Sequence, residues 1–273
     1  GLAASGVPLV AEVNPAHPSL PGAPTLPVAA EVVIETPLVT YDPGPVGTAF
    51  TRIGEHVAAL IRDGDTVQLG LGRVQPAVLS ALTVAGTRFS LHGGMLSTAA
   101  LPAIEAGGVE RIVAGMVLGN AALYARVPTL DNLALLPVAQ THGAAVLARI
   151  PNLVAVNSAL AVDLAGQATS ESLAGRAVSA AGGIDDFQRG ARASAGGRAI
   201  LALPSTARGA SRIVAALPAG TRISVTAPNA DIVVTEHGVA HLRGQTLAER
   251  ARRLTAIAAP EHRDTLRAAA CAA

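Results

Sequence analysis

The 273 residues carry 20 basic and 19 acidic side chains, a formal net charge of +1, with 2% aromatic content and no polybasic run, which excludes a nucleic-acid-binding surface. Every basic residue is Arg, so lysine chemistry is removed: no Walker-type phosphate loop, no Schiff base and no pyridoxal phosphate linkage. Cys271 is the single Cys and allows no intrachain disulfide, which fits a cytoplasmic setting, and the most apolar stretch, Ala144 to Ala165, is broken by Arg149, Pro151, Asn152, Asn157 and Asp163, so no membrane span is expected despite a mean hydropathy of +0.44.

Residues 1–45 are rich in Pro and Gly, with Val7 to Val13 and Glu31 to Glu35 as candidate strands among turns. No signal peptide pattern is present, and Gly1 stands where a start Met would be. Thr51 to Arg62 spaces Ile53, Val57, Leu60 and Ile61 on one helical face and is ended by Asp63-Gly64-Asp65. Thr66 to Leu69 reads as a strand running into Gly70-Leu71-Gly72, and Ala77 to Ala85 as a helix with Pro76 in its first turn. A Gly-x-Gly turn between strand and helix admits a phosphate at the helix N-terminus or is a plain tight turn. As a dinucleotide fingerprint it lacks the third Gly and the acidic residue about 20 positions on, so a nucleotide-binding protein using Gly70 and Gly72 is a lesser alternative.

Phe89 to Met95 reads as a short strand with a flexible polar end. Its His92 is either a general acid or base, since a free imidazole titrates near neutrality, or a structural histidine. Leu101 to Gly107 reads as a helix, and Arg111 to Leu118 and Leu133 to Pro137 as strands. Leu153 to Val156 and Ala161 to Leu164 are short apolar runs ended by Asn157-Ser158 and Ala165-Gly166, as buried strands are. Gly182-Gly183 then opens a segment whose backbone N–H groups can face an oxyanion with no side chain in the way.

Arg198 to Leu203 is a further buried strand, Arg212 to Leu217 a short amphipathic piece, and Thr221 to Thr226 an alternating, half-buried strand. Ile232 to Val234 leads into Thr235-Glu236-His237-Gly238. His237 and His241 would share a helical face as metal ligands, but Gly238 interrupts and no third ligand is evident, so no metal is assigned. Leu247 to Ala258 and Glu261 to Ala270 are expected helices, with Arg250, Arg252 and Arg253 on a solvated face. Strands alternating with helices give right-handed βαβ units and a mainly parallel sheet.

Five segments carry a resemblance. They are Val156-Asn157-Ser158-Ala159-Leu160-x-Val162-Asp163-Leu164-x-Gly166-Gln167, Gly182-Gly183-x-x-Asp186-Phe187-x-Arg189-Gly190-Ala191, Leu203-Pro204-Ser205-Thr206-Ala207, Ser211-Arg212-Ile213-Val214 and Val233-Val234-Thr235-Glu236-x-Gly238-Val239-Ala240. In order and spacing they resemble the C-terminal half of the acetyl-CoA hydrolase/transferase family, which includes acetate and 4-hydroxybutyrate CoA-transferases. The resemblance implies a CoA-transferase-like (NagB/RpiA-like) α/β domain over residues 46–273, with a mainly parallel sheet flanked by helices. Residues 1–45 become the tail of a missing first domain, the alternative being an extended linker. It also implies acyl-CoA and small carboxylic acids as substrates, coenzyme A as the moving group, a homodimer, and a possible separate first-domain chain. Gly70 and Gly72, with Gly182 and Gly183, become loops lining the CoA site.

The family's nucleophile is the Glu of an Asn-Ser-x-x-Glu-Val-Asp-Leu pattern, which attacks the thioester, passes through an acyl anhydride and becomes a glutamyl-CoA thioester. Here that position is Ala161. Ile184, Gly94 and Asn229 also replace a Gln, an acidic residue and an Arg common in the family. Asp163 is the nearest carboxylate, but about 6.6 Å further along an extended strand at roughly 3.3 Å per residue. A displacement of about 1 Å already costs on the order of 100-fold in rate. Two functions therefore stand. One is CoA transfer or acyl-CoA hydrolysis with Asp163, Glu236 or an activated water in place of the lost nucleophile; the other is a non-catalytic relative that binds acyl-CoA or pairs with an active subunit.

Overall fold

The computed structural model describes residues 5–20, 25–173, 176–180 and 182–272. Two exposed strands, β1 (Val10–Val13) and β2 (Ala30–Val33), pair in parallel within the Pro-rich arm. The arm is tied to the body further on, where Tyr41 N donates to Gly119 O at 3.1 Å and Tyr124 Oη to Val39 O at 2.6 Å.

The body then alternates as the hydrophobic spacing predicts. α1 (Thr48–Ala58) precedes β3 (Thr66–Leu69), and α2 (Val74–Ala85) precedes β4 (Phe89–Leu96). α2 stops at Gly86, whose φ of +68° is the left-handed conformation that ends helices. Next come α3 (Leu101–Glu105), β5 (Val109–Val117), α4 (Ala121–Arg126), β6 (Leu133–Leu135), and two single-turn helices, α5 (Val138–Thr141) and α6 (Ala144–Leu147). β7 (Leu153–Ser158) returns to the centre, and β8 (Ala161–Asp163), β9 (Ala168–Thr169), β10 (Ser172–Leu173) and β11 (Arg176–Ala177) follow as short pieces. After α7 (Ile184–Ala193) come β12 (Arg198–Ala202), β13 (Thr206–Ala207), β14 (Ala210–Ser211), β15 (Ile213–Val214), β16 (Ile232–Thr235) and β17 (Gly238–His241). α8 (Leu247–Ala256) and α9 (Arg263–Ala272) complete the described chain.

The central sheet has eight strands in the order β17-β16-β12-β7-β3-β4-β5-β6, parallel throughout except for the β16–β17 hairpin. From β3 the chain winds outward to β6, then restarts at β7 on the other side of β3. The strand order therefore reverses between β3 and β7, and in open α/β sheets a crevice opens outside the carboxyl ends at such a point.

Both faces of the sheet are covered, and the period of two in β7 shows it. Val154 and Val156 join the apolar cluster built with Ile53 and Val57 of α1 and Val78 and Leu82 of α2; Leu153 and Ala155 join Leu147, Phe187 and Ala191 on the other face. A third cluster packs α8 against β8, β15 and the outward residues of β12 and β16.

Three expectations are corrected, and one expected strand, β8, is found outside the main sheet. Gly93 and Gly94 lie inside β4, paired through Gly93 to Ala114, instead of forming a flexible end after a short strand. Thr221 to Thr226 forms no strand: Val225 alone bridges to Ala168, with Val225 buried while Ile223 is 40% exposed. β8 leaves the central sheet and forms a three-stranded sheet with β15 and β9. Arg250 is buried, its guanidinium donating to Ala165 O at 3.0 Å and Ala227 O at 2.8 Å, so only Arg252 and Arg253 keep to the outer side, both paired with Glu249.

Candidate functional site

The carboxyl ends of β3 and β7 meet at a locked pair of amides. Asn157 Nδ2 donates to Gln68 Oε1 at 2.9 Å and Gln68 Nε2 to Asn157 Oδ1 at 3.3 Å, both side chains buried. Gly70 N donates to Val156 O at 2.8 Å, and a Cβ at Gly70 would stand 2.8 Å from Asn157 Oδ1, so a side chain there would split the pair. The loop continues through Gly72, whose N–H donates to Tyr41 Oη at 3.0 Å and whose missing Cβ faces Ser158 Oγ at 3.8 Å. The structure thus brings Gly70, Gly72, Asn157 and Ser158 together at the switch point. Tyr41 also borders a groove of about 1260 Å³ between the arm and helices α1 and α2.

β7 leaves this point through Ala159 and Leu160 to β8, where Ala161 pairs with Thr169 and is 8% exposed. Ala159 and Val162 belong to the same apolar cluster as Ile184, the first residue of α7; Ala161, between them in the chain, lies outside that cluster. The first N–H groups of a helix have no partner within it, which leaves donors aimed outward at that end. Gly182 has a φ of +57° and open space where a Cβ would be.

Asp163 is 3% exposed and faces a turn. Its Oδ1 accepts from Ala165 N at 3.1 Å and Gln167 N at 2.8 Å, and its Oδ2 from Gln167 Nε2 at 2.9 Å. Glu236, at the end of β16, is similarly engaged by Ser205 at the end of β12: Ser205 N donates to Oε2 at 2.8 Å and Ser205 Oγ to Oε1 at 2.7 Å. His237 lies in the turn before β17 and His241 at its far end, about 13 Å apart at the strand's rise per residue. Among the described residues no three His, Cys, Asp or Glu side chains gather as a metal site.

His92 is buried within β4, and its Nε2 bonds Thr141 O at 3.0 Å. Burial holds its pKa below the ordinary imidazole value, with the Thr141 carbonyl opposing and electrostatic repulsion from Arg111, and from the His142 ring when that is protonated, adding to the lowering. The neutral ring therefore donates its Nε2–H to the carbonyl. A void of about 20 Å³, lined by Gln75, His92, Gly93 and Ser97, lies beside it with room for one water.

One residue at this end was not singled out from the sequence. His142, just past α5, sets its ring against Phe187 of α7, with centroids 4.6 Å apart, and its Nδ1 is 2.8 Å from Thr141 Oγ1. A Cβ on Gly94 would lie 3.0 Å from its Cε1, and a Cβ on Gly183 only 2.5 Å from its Cδ2 and 2.6 Å from its Nε2. The ring occupies space that two glycines, 89 positions apart in the chain, leave empty. No local pattern announces that arrangement.

The site as a whole offers glycine loops, helix amides, two hydroxyls and an imidazole, with the Asp163 and Glu236 carboxylates already bonded within the protein. That set suits a polar, carbonyl-bearing ligand held at strand ends.

Comparison with known proteins bears on the same region. The model of a family described as "Acetyl-CoA hydrolase/transferase C-terminal domain" matches residues 119–270. The 4-hydroxybutyrate coenzyme A transferase of Clostridium kluyveri is 37% identical over 272 residues, covering 94% of this chain and 63% of that protein. Among solved structures, RipA from Yersinia pestis superposes with a TM-score of 0.91 at 30% identity, covering 99% of this chain and 64% of its own. The 4-hydroxybutyrate CoA-transferase from Porphyromonas gingivalis gives a TM-score of 0.81 at 35% identity, covering 96% and 65%. The chain spans less than two thirds of the length of each of these relatives.

Proposed function

The chain belongs to the acetyl-CoA hydrolase/transferase family, and we propose that it is a CoA-thioester-binding domain in which the acyl-anhydride route of CoA transfer is closed. The observation that carries this is Ala161: a methyl group stands in β8 where the family pattern has its carboxylate nucleophile. The acyl and pantetheine portions would enter the crevice at the ends of β3 and β7, bordered by Gly70, Gly72 and the Gly182–Gly183 end of α7. Asp163 is a poor replacement nucleophile, because its oxygens already accept three hydrogen bonds that hold the turn at Ala165 to Gln167. Glu236, bonded through both oxygens to Ser205, is in the same position.

The acceptor acid, a homodimeric assembly and a cytoplasmic setting belong to the same reading, and they rest on family resemblance. Pairing with an active subunit or a separate first-domain chain is the second reading, and it too rests on family resemblance.

The test is thioester exchange. The protein is incubated with acetyl-CoA and propionate, and propionyl-CoA is followed by mass spectrometry for the wild type and for Ala161→Glu. Exchange is expected only in Ala161→Glu, together with CoA binding by both proteins in calorimetry. Equal exchange by the two forms, or no CoA binding by either, would overturn the proposal.

A further inference from the structure

The groove of about 1260 Å³ beside Tyr41 adjoins the Gly70–Gly72 loop. Tyr41 Oη accepts from Gly72 N–H at 3.0 Å, and the lining passes from Tyr41 to Pro76 and Ala77, in the first turn of α2, and on along the helix to Ala85. From Pro76 to Ala85 the helix rises about 14 Å at roughly 1.5 Å per residue. Ala58 of α1, Ala77 and Ala81 of α2 and Val46 of the arm make the lining small and apolar, and Val84 is left 88% exposed. A contiguous apolar surface of this kind marks a place where another molecule sits.

Charge decides which end of an acyl-CoA such a groove admits. The charged side chains among its lining residues are Asp42 and Glu55, both carboxylates, with no Arg or His. They repel the phosphates of CoA, whereas an uncharged alkyl chain gains from leaving water there. An octanoyl group, with C–C bonds of about 1.5 Å, reaches no further than about 10 Å and fits within the run along α2. We propose that the groove is the acyl-chain site of this protein, so that its preferred CoA thioesters carry medium-length, uncharged acyl chains. The thioester sits at the Gly70–Gly72 loop and the chain lies along α2. This inference rests on the CoA-thioester reading and adds the substrate class to it.

The test is a chain-length series. Binding of free CoA, acetyl-CoA, butyryl-CoA, hexanoyl-CoA, octanoyl-CoA and octanoate is measured by calorimetry for the wild type and for Ser80→Trp, which sets an indole into the groove from an exposed position of α2. Each methylene buried strengthens binding by up to about fourfold, so octanoyl-CoA is expected to bind at least about 30-fold tighter than acetyl-CoA, the gain from burying roughly two or three of its additional methylenes. Ser80→Trp should erase that gain and, being remote from the loop, leave acetyl-CoA affinity within about twofold. Octanoate alone should not bind measurably, because it brings a carboxylate towards Asp42 and Glu55. The wild-type series stands by itself if the variant does not fold. Equal affinities for acetyl-CoA and octanoyl-CoA, or a chain-length gain that survives Ser80→Trp, overturn the acyl-chain site while leaving CoA binding standing. Octanoate bound as tightly as octanoyl-CoA assigns the groove to a free fatty acid and overturns it as well. Absence of binding by free CoA and by every thioester overturns both proposals.

Discussion

Adding one methyl group at Gly183 tests whether the His142 ring is held where the structure puts it. The new Cβ would sit 2.5 Å from His142 Cδ2 and 2.6 Å from Nε2, whereas carbon atoms rest at about 3.5–4.0 Å, so the ring must retreat by about 1 Å. That movement breaks the 2.8 Å bond to Thr141 Oγ1, a loss of about 1 kcal/mol, and overpacking adds about 1 kcal/mol more. Gly183 is also the N-cap of α7, with φ −95° and ψ 13°, a conformation open to Ala; replacing a glycine cap adds about 0.5 kcal/mol by itself. Gly183→Ala should therefore destabilise by about 2.5 kcal/mol in the wild type but by less than about 1 kcal/mol in a His142→Ala background, where the cap and a 3.1 Å approach to Phe187 remain. Urea unfolding of the four proteins of the cycle supplies the numbers. Equal costs in the two backgrounds would refute the claim that the glycine exists to admit the imidazole.

Two further outcomes follow from side chains already described. Asp163→Ala removes the acceptor of three hydrogen bonds in a site 3% exposed, and it should cost about 2–4 kcal/mol in urea unfolding; a cost under about 1 kcal/mol would mean the turn holds itself. Hydrogen bonds from Arg252 and Arg253 hold the Glu249 carboxyl down at about 2, so its contribution to stability is complete above the ordinary glutamate value of 4.5 and is lost as pH falls towards 2. Glu249→Gln should remove that component, visible as a shallower fall in urea midpoint between pH 5 and pH 3 than in the wild type; parallel curves would contradict it.

Much of the sheet was legible because its strands obey a local rule. The β-branched and apolar runs at Leu153 to Val156 and Arg198 to Leu203 are covered on both faces, and that composition marks central parallel strands. What was misread depended on partners remote in sequence. Gly93 and Gly94 have no strand propensity, yet β5, paired with Gly93 and Met95, draws them into β4. Thr221 to Thr226 has the alternation of a strand but meets a partner at Val225 alone. Arg250 belongs to a run of arginines that reads as solvated, and it is buried because carbonyls of Ala165 and Ala227 converge on it. At the site, the glycines and Asn157-Ser158 stood out from the sequence by residue type. His142 did not, because its meaning comes from Gly94 and Gly183 folding around it.

Among the described residues β1 and β2 pair only with each other, which leaves peptide groups along both outer rims without ladder partners, and Val10, Val32 and Val33 are all more than half exposed. Such a ribbon is a template onto which foreign chains can stack. Pro8, Pro15, Pro27 and Pro37 flank it, and a residue without an amide hydrogen cannot extend a ladder. Growth of the ladder past these positions would need amide hydrogens that the four rings lack.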